Sequence, residues 1–170
     1  MSLRPDFILI VEDNDDHAFF IQKAFVQARL ANPTFRVSDG DEAIEYLKGE
    51  GKYSNRCEYP VPGLVLLDLK MPRRNGFEVL EWIRQQPGFK GLRVVVLTTS
   101  EELREVNRAY ELGANSFLVK PVTMPDFMQL VEAVNAYWVL MSAAPESSRS
   151  IGEKGMVVSP RSKMPPSHSV

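Results

Sequence analysis

Two hydrophobic rhythms alternate along the chain up to about residue 140. Phe7–Val11 (FILIV) is an unbroken apolar run, the pattern of a strand covered on both faces. Leu64–Leu67 and Val94–Leu97 repeat it, and Phe35–Val37 and Ser116–Val119 are weaker versions. Between these runs the apolar positions fall at helical spacing. A helix is predicted from near Asp15, holding Phe19, Phe20, Ala24 and Gln27, and others over Asp41–Lys48, Gly76–Gln85, Glu101–Leu112 and Pro125–Leu140. Five strands alternating with five helices predict an α/β architecture, a doubly wound five-stranded parallel sheet with helices on both faces. Gly49–Gly63 (GEGKYSNRCEYPVPG) reads as a long polar loop before the third strand.

The rhythm stops near Pro145. Residues 145–170 are rich in serine, proline and basic side chains and have no apolar periodicity, so they are expected to form a disordered tail. The body, 1–144, is then one domain, long enough for one good core. The net charge is −2, and because the tail has four basic and two acidic residues, the body carries −4. That balance argues against a protein that coats nucleic acid. No apolar run is long enough to span a bilayer, and residues 1–7 do not read as a signal peptide, so the expected address is the cytoplasm. The single cysteine, Cys57, excludes an internal disulfide and a cysteine-rich zinc site.

Polar residues gather where the predicted strands end. Glu12 and Asp13 follow the first strand, Asp68 follows the third, Thr98 ends the fourth and Lys120–Pro121 end the fifth. In a doubly wound sheet, ligands sit at the carboxyl ends of the strands, so these positions converge on one crevice. Taken singly, each has an ordinary explanation: Glu12 and Asp13 as capping or solvated acids, Asp68 as a turn residue, Thr98 as a strand end and Lys120–Pro121 as a boundary. Their conjunction is harder to obtain from capping alone. Three carboxylates at close range need compensation, which a hard divalent cation supplies; Mg2+ suits such oxygen ligands and Mn2+ could substitute. A carboxylate, a divalent ion and a lysine together suit phosphoryl transfer, with Asp68 as the nucleophile.

In order and sequence, Ile8–Asn14 (ILIVEDN), Leu64–Pro72 (LVLLDLKMP), Asn75–Gly76, Val94–Ser100 (VVVLTTS) and Gly113–Ala114 through Lys120–Pro121 resemble the receiver domain of two-component response regulators. The resemblance covers roughly residues 6–140 and implies a flavodoxin-like receiver fold. Ala31–Pro33, the loop through Tyr53 and Arg56, Asp68–Lys70 and Ala136–Trp138 further resemble the single-domain regulators of cyanobacterial and bacterial phytochromes. The resemblance implies that Asp68 accepts a phosphoryl group from a phosphohistidine of a sensor histidine kinase, phytochrome-like on the narrower match. It implies that Glu12, Asp13, Asp68 and the backbone carbonyl of Lys70 hold Mg2+. Thr98 would meet a phosphoryl oxygen, Lys120 would pair with the phosphoryl group, and a cis peptide would precede Pro121. Gly76 would close the turn into the third helix. Phe117 stands at the family's aromatic switch position, although an aromatic there is also ordinary packing. The resemblance further implies that Lys70 and Ser100, two residues after Asp68 and Thr98, occupy positions from which side chains in this family reach the attacking water. The implied chemistry is the chain's own phosphorylation and dephosphorylation rather than turnover of a separate substrate.

Two other classes compete. A Mg2+-dependent phosphatase of the haloacid-dehalogenase type needs a second aspartate two residues after the nucleophile, where this chain has Lys70. A degenerate receiver would mediate contacts only, against which stands the intact set of acids, threonine and lysine. No DNA-binding or membrane module is expected after the receiver, which leaves output to protein contact, further phosphotransfer or dimerisation. A homodimer is expected through the fourth helix, fifth strand and fifth helix, with Phe127, Tyr137 and Trp138 as candidates for its face. His17 reads as a solvated helix residue and Cys57 as inert.

Overall fold

The computed structural model describes residues 4–143, with side chains over 7–136. The elements in chain order are β1 (Arg4–Val11), α1 (Asp15–Gln27), β2 (Thr34–Val37), α2 (Gly40–Lys48), β3 (Pro62–Leu67), α3 (Gly76–Gln85), β4 (Arg93–Thr98), α4 (Leu103–Glu111), β5 (Ser116–Val119) and α5 (Met124–Ala143). The expected tail, 145–170, lies outside the described residues, as do the side chains of Tyr137 and Trp138. The five strands form one parallel sheet in the order β2-β1-β3-β4-β5. The doubly wound α/β prediction holds.

The unbroken apolar runs have a simple physical origin. Successive side chains of a strand point to opposite faces. Leu9, Val11, Val65, Leu67, Val94 and Val96 therefore enter one core with Ala43, Leu47, Val79, Leu80 and Ile83 of α2 and α3. Ile8, Ile10, Leu64, Leu66, Val95 and Leu97 enter the other, against Ile21 and Phe25 of α1 and Phe127, Val131 and Val134 of α5. Polar residues set where the helices begin. Asn14 accepts from the His17 amide at 3.0 Å, Asp39 from Glu42 at 2.8 Å and Asn75 from Glu78 at 3.0 Å, each a side-chain cap on an otherwise orphaned donor. Gly49, with φ of 71°, ends α2 in the left-handed conformation that glycine adopts without strain.

The segment before β3 is not the polar loop its composition suggests. Gly51–Tyr53 forms a 3-10 turn and Tyr53 is 1% exposed. Its ring lies 4.8 Å from that of Tyr46 and 5.1 Å from that of Tyr59, with Phe35 against all three. Arg56 ties the segment to the end of α2 by donating to the Tyr46 carbonyl at 2.8 Å and the Leu47 carbonyl at 2.6 Å. Aromatic rings spaced irregularly along a polar stretch leave no period to read, so this packing is set by tertiary contact. Among the described residues, no helix is long and apolar enough to cross a membrane.

Candidate functional site

The sheet ladder runs into the site. The Glu12 amide donates to the Val37 carbonyl at 3.1 Å, the Asp68 amide to Val11 at 3.0 Å and the Lys120 amide to Thr98 at 2.8 Å. Glu12, Asp68, Thr98 and Lys120 are thus fixed by strand pairing at the carboxyl edge, and all four are buried. Asp13 is exposed at the rim. Oxygens of Glu12, Asp13 and Asp68 lie within 4.8 Å of one another, a hard-oxygen set of the kind that Mg2+ or Mn2+ takes.

Lys120 sits among these acids. Its Nζ lies 2.5 Å from Glu12 Oε2 and donates to Asp68 Oδ2 at 3.0 Å. Three clustered acids, two of them on one ammonium, leave the pocket with more carboxylates than cations. Burial pushes the Glu12 carboxyl up to about 7, opposed by the Lys120 ammonium and reinforced by the repulsion of Asp68. Thr98 Oγ1 is buried without a hydrogen-bond partner among the described residues, a costly state for a hydroxyl unless something else meets it. The Lys70 amide faces Asp68 Oδ1 at 3.4 Å, and the Lys70 side chain is exposed. The Gly76 amide donates to the Leu69 carbonyl at 2.9 Å, and a Cβ at Gly76 would collide with the Asp68 carbonyl. The glycine here serves close approach of α3 to the strand end.

Some expectations are corrected. There is no cis peptide bond among the described residues, so the bond before Pro121 is trans, the form that X-Pro bonds favour by about 0.5–1 kcal/mol. Phe127 is 4% exposed and stacks on Phe20, covering the sheet rather than offering a dimer face. His17 is no bystander: its Nδ1 lies 3.1 Å from Lys120 Nζ and 3.7 Å from Glu12 Oε1. Burial, and then the Lys120 ammonium, lower its pKa. Phe117 is buried in the core shared with α3 and α4, and its amide donates to the Tyr110 hydroxyl at 3.1 Å.

Arg36 also escaped the sequence reading. From the edge strand β2 it donates to the Glu12 carbonyl at 2.9 Å, the Asp13 carbonyl at 3.1 Å and Asp15 Oδ1 at 2.7 Å. It clamps the turn that carries the acid pair. The available signal was an arginine inside a strand, placed opposite Ile10 by the β1–β2 register.

A parallel sheet in this strand order, with an acid pocket at its carboxyl edge closed by one lysine, defines an α/β protein with an acidic site at its strand ends. The family described as the response regulator receiver domain matches residues 8–132, and the chain belongs to it. It is 36% identical over 144 residues to the probable methanogenesis regulatory protein FilR2 of Methanothrix harundinacea, covering 83% of this chain and 88% of that one. It is 35% identical over 135 residues to the response regulator Rcp1 of Synechocystis sp., covering 79% and 90%. Among solved structures, the Mn2+-bound form of Rcp1 superposes with a TM-score of 0.70 at 35% identity, covering 78% of this chain and 93% of that one. The phosphorylated cyanobacterial phytochrome response regulator RcpA does so with a TM-score of 0.73 at 34% identity, covering 82% and 96%. The chain is therefore a receiver-domain response regulator homologous to phytochrome response regulators.

Proposed function

We propose that this chain accepts a phosphoryl group on Asp68 from the phosphohistidine of a phytochrome-type sensor kinase and signals through the resulting change in shape. The observation that carries this reading is the buried trio of Asp68, its partner Lys120 and the partnerless hydroxyl of Thr98. A carboxylate nucleophile needs little covalent assistance in phosphoryl transfer; positioning and charge stabilisation do most of the work. In the transfer, an Asp68 carboxylate oxygen forms the new O–P bond as the N–P bond of the donor breaks, and the electron pair stays on the imidazole nitrogen, which then takes a proton. Lys120 Nζ, already 3.0 Å from Asp68 Oδ2, pairs with a phosphoryl oxygen. Thr98 Oγ1 donates to another and gains the partner it lacks. Glu12, Asp13, Asp68 and the Lys70 carbonyl would hold Mg2+, or Mn2+ in its place, and that ion would neutralise charge on the phosphoryl oxygens.

Phe20 and Val122 are exposed apolar residues, on the face of α1 near α5 and in the loop after Lys120, and offer a docking surface for the kinase. Thr98, drawn inward to meet a phosphoryl oxygen, vacates space into which Phe117 rotates, and this switch repacks α4, β5 and α5. The same face pairs two copies: β5 is a sheet edge, and beside it an apolar groove of about 410 Å³ is lined by Val95, Leu118, Leu130 and Val134. Exposed Arg104 on α4 and exposed Asp126 and Glu132 on α5 give a two-fold pair opposite charges to match.

The test is incubation with acetyl phosphate and Mg2+ followed by phosphate-affinity electrophoresis. One retarded species is expected, lost in Asp68→Asn. Steady turnover of small phosphate esters would instead favour the phosphatase class, and an unmodified wild type the contact-only receiver. Sedimentation that finds only monomer at micromolar concentrations, with and without phosphorylation, would remove the dimer.

A further inference from the structure

We propose that His17 is a positioning residue for Lys120: its Nδ1 accepts from the ammonium at the mouth of the pocket and keeps it in place for the incoming phosphoryl group. This rests on the phosphoacceptor reading of Asp68.

An ammonium has three donors and no acceptor. Lys120 Nζ faces three acceptor groups, Glu12 Oε2 at 2.5 Å, Asp68 Oδ2 at 3.0 Å and His17 Nδ1 at 3.1 Å. Two are carboxylates that the proposed function also assigns to a divalent ion. The third is an imidazole nitrogen, not among the oxygens assigned to the ion, with Glu12 Oε1 as its other close neighbour at 3.7 Å. Because an ammonium only donates, Nδ1 accepts and the ring proton lies on Nε2.

The ring is held where this contact needs it. His17 lies in the first turn of α1, and its amide is fixed by the Asn14 cap at 3.0 Å. Its side chain is 35% exposed while that of Lys120 is 3% exposed, so the imidazole is the outermost of the three acceptors and roofs the ammonium on the solvent side. When the carboxylates turn toward a cation, Lys120 loses part of two contacts and keeps the third. His17 then prevents a long, rotatable side chain from swinging into solvent before a phosphoryl oxygen arrives.

His17→Leu removes the acceptor and keeps comparable bulk; His17→Asn places an amide oxygen near the position of Nδ1. With the full chain, acetyl phosphate and saturating Mg2+, His17→Leu is expected to slow phosphorylation of Asp68 about tenfold, the scale of one lost hydrogen bond to a charged group. His17→Asn should recover most of that rate. The Mg2+ half-saturation point, followed by isothermal titration calorimetry, should stay unchanged in both. In the metal-free protein, nitrogen-15 NMR should show His17 as the Nε2–H tautomer, shifting toward the free-imidazole pattern in Lys120→Met. Equal rates in all three proteins would overturn the proposal, as would equal slowing in Leu and Asn variants or a parallel loss of Mg2+ affinity. A wild type that takes up no phosphoryl group would overturn the reading beneath it, an outcome distinct from a wild type that reacts and variants that do not differ.

Discussion

Thr98 shows how a single atom can trade stability against chemistry. Its Oγ1 is buried with no partner among the described residues, and an unsatisfied buried hydroxyl costs about 1–3 kcal/mol. Thr98→Val should therefore raise the urea midpoint of the unphosphorylated protein by the equivalent of about 1 kcal/mol. The same variant should phosphorylate without the conformational change expected of the wild type. A drop in the midpoint would mean that the hydroxyl is satisfied and that its burial has another cause. Glu42 is a second residue with a measurable signature. Burial raises its pKa, but the Tyr53 hydroxyl, the Ser38 amide and the Lys52 ammonium outweigh burial and leave it below the usual glutamate value. A lowered carboxyl pKa adds stability that is fully present above the ordinary value and is lost as pH falls through the lowered one. The stability gap between wild type and Glu42→Gln should be constant at neutral and mildly acidic pH and shrink below the ordinary glutamate range. A gap of the same size at all pH values would refute the assignment.

At the level of elements, the strand ends place the chemistry and the neighbouring elements aim it. Arg36 on β2 fixes the turn between β1 and α1 through two backbone carbonyls and Asp15. Arg36→Ala should weaken Mg2+ binding several-fold and also lower the thermal midpoint of the metal-free protein by a few degrees, since two backbone carbonyls lose a charged donor. Arg36→Lys should not restore the affinity, because a point charge cannot span two carbonyls as a planar fork does. Unaltered affinity in Arg36→Ala would show that the turn holds its shape unaided. Much of this was legible beforehand. The apolar runs named both faces of the sheet, and the polar residues that stop them named Glu12, Asp13, Asp68, Thr98 and Lys120. Contacts made across the fold were not legible. His17 meets Lys120 over a separation of 103 residues, a consequence of how α1 packs beside α5 that no local period encodes. Arg36 depends on the β1–β2 register, and the burial of Tyr53 on rings from three separate segments.

For the molecule as a whole, ligand binding and folding should be coupled. A cation bound to the native acid cluster and not to the unfolded chain stabilises by about 2.7 kcal/mol at a hundred times its dissociation constant. Mg2+ should therefore raise the thermal midpoint of the wild type. Asp13→Asn should start from a similar midpoint without metal, since Asp13 is exposed, and rise little when Mg2+ is added. A wild-type midpoint indifferent to Mg2+, or an equal rise in the variant, would dissociate the cluster from metal binding. The excess of carboxylates over ammonium in the pocket also has a temporal meaning. On the proposed function, an acyl-phosphate or phosphohistidine donor would arrive as an anion and meet a repulsive field while the acids stand uncompensated, which would discourage premature chemistry by sign alone. Admission of the donor would then follow neutralisation, so that one set of three side chains would dictate sequence as well as place.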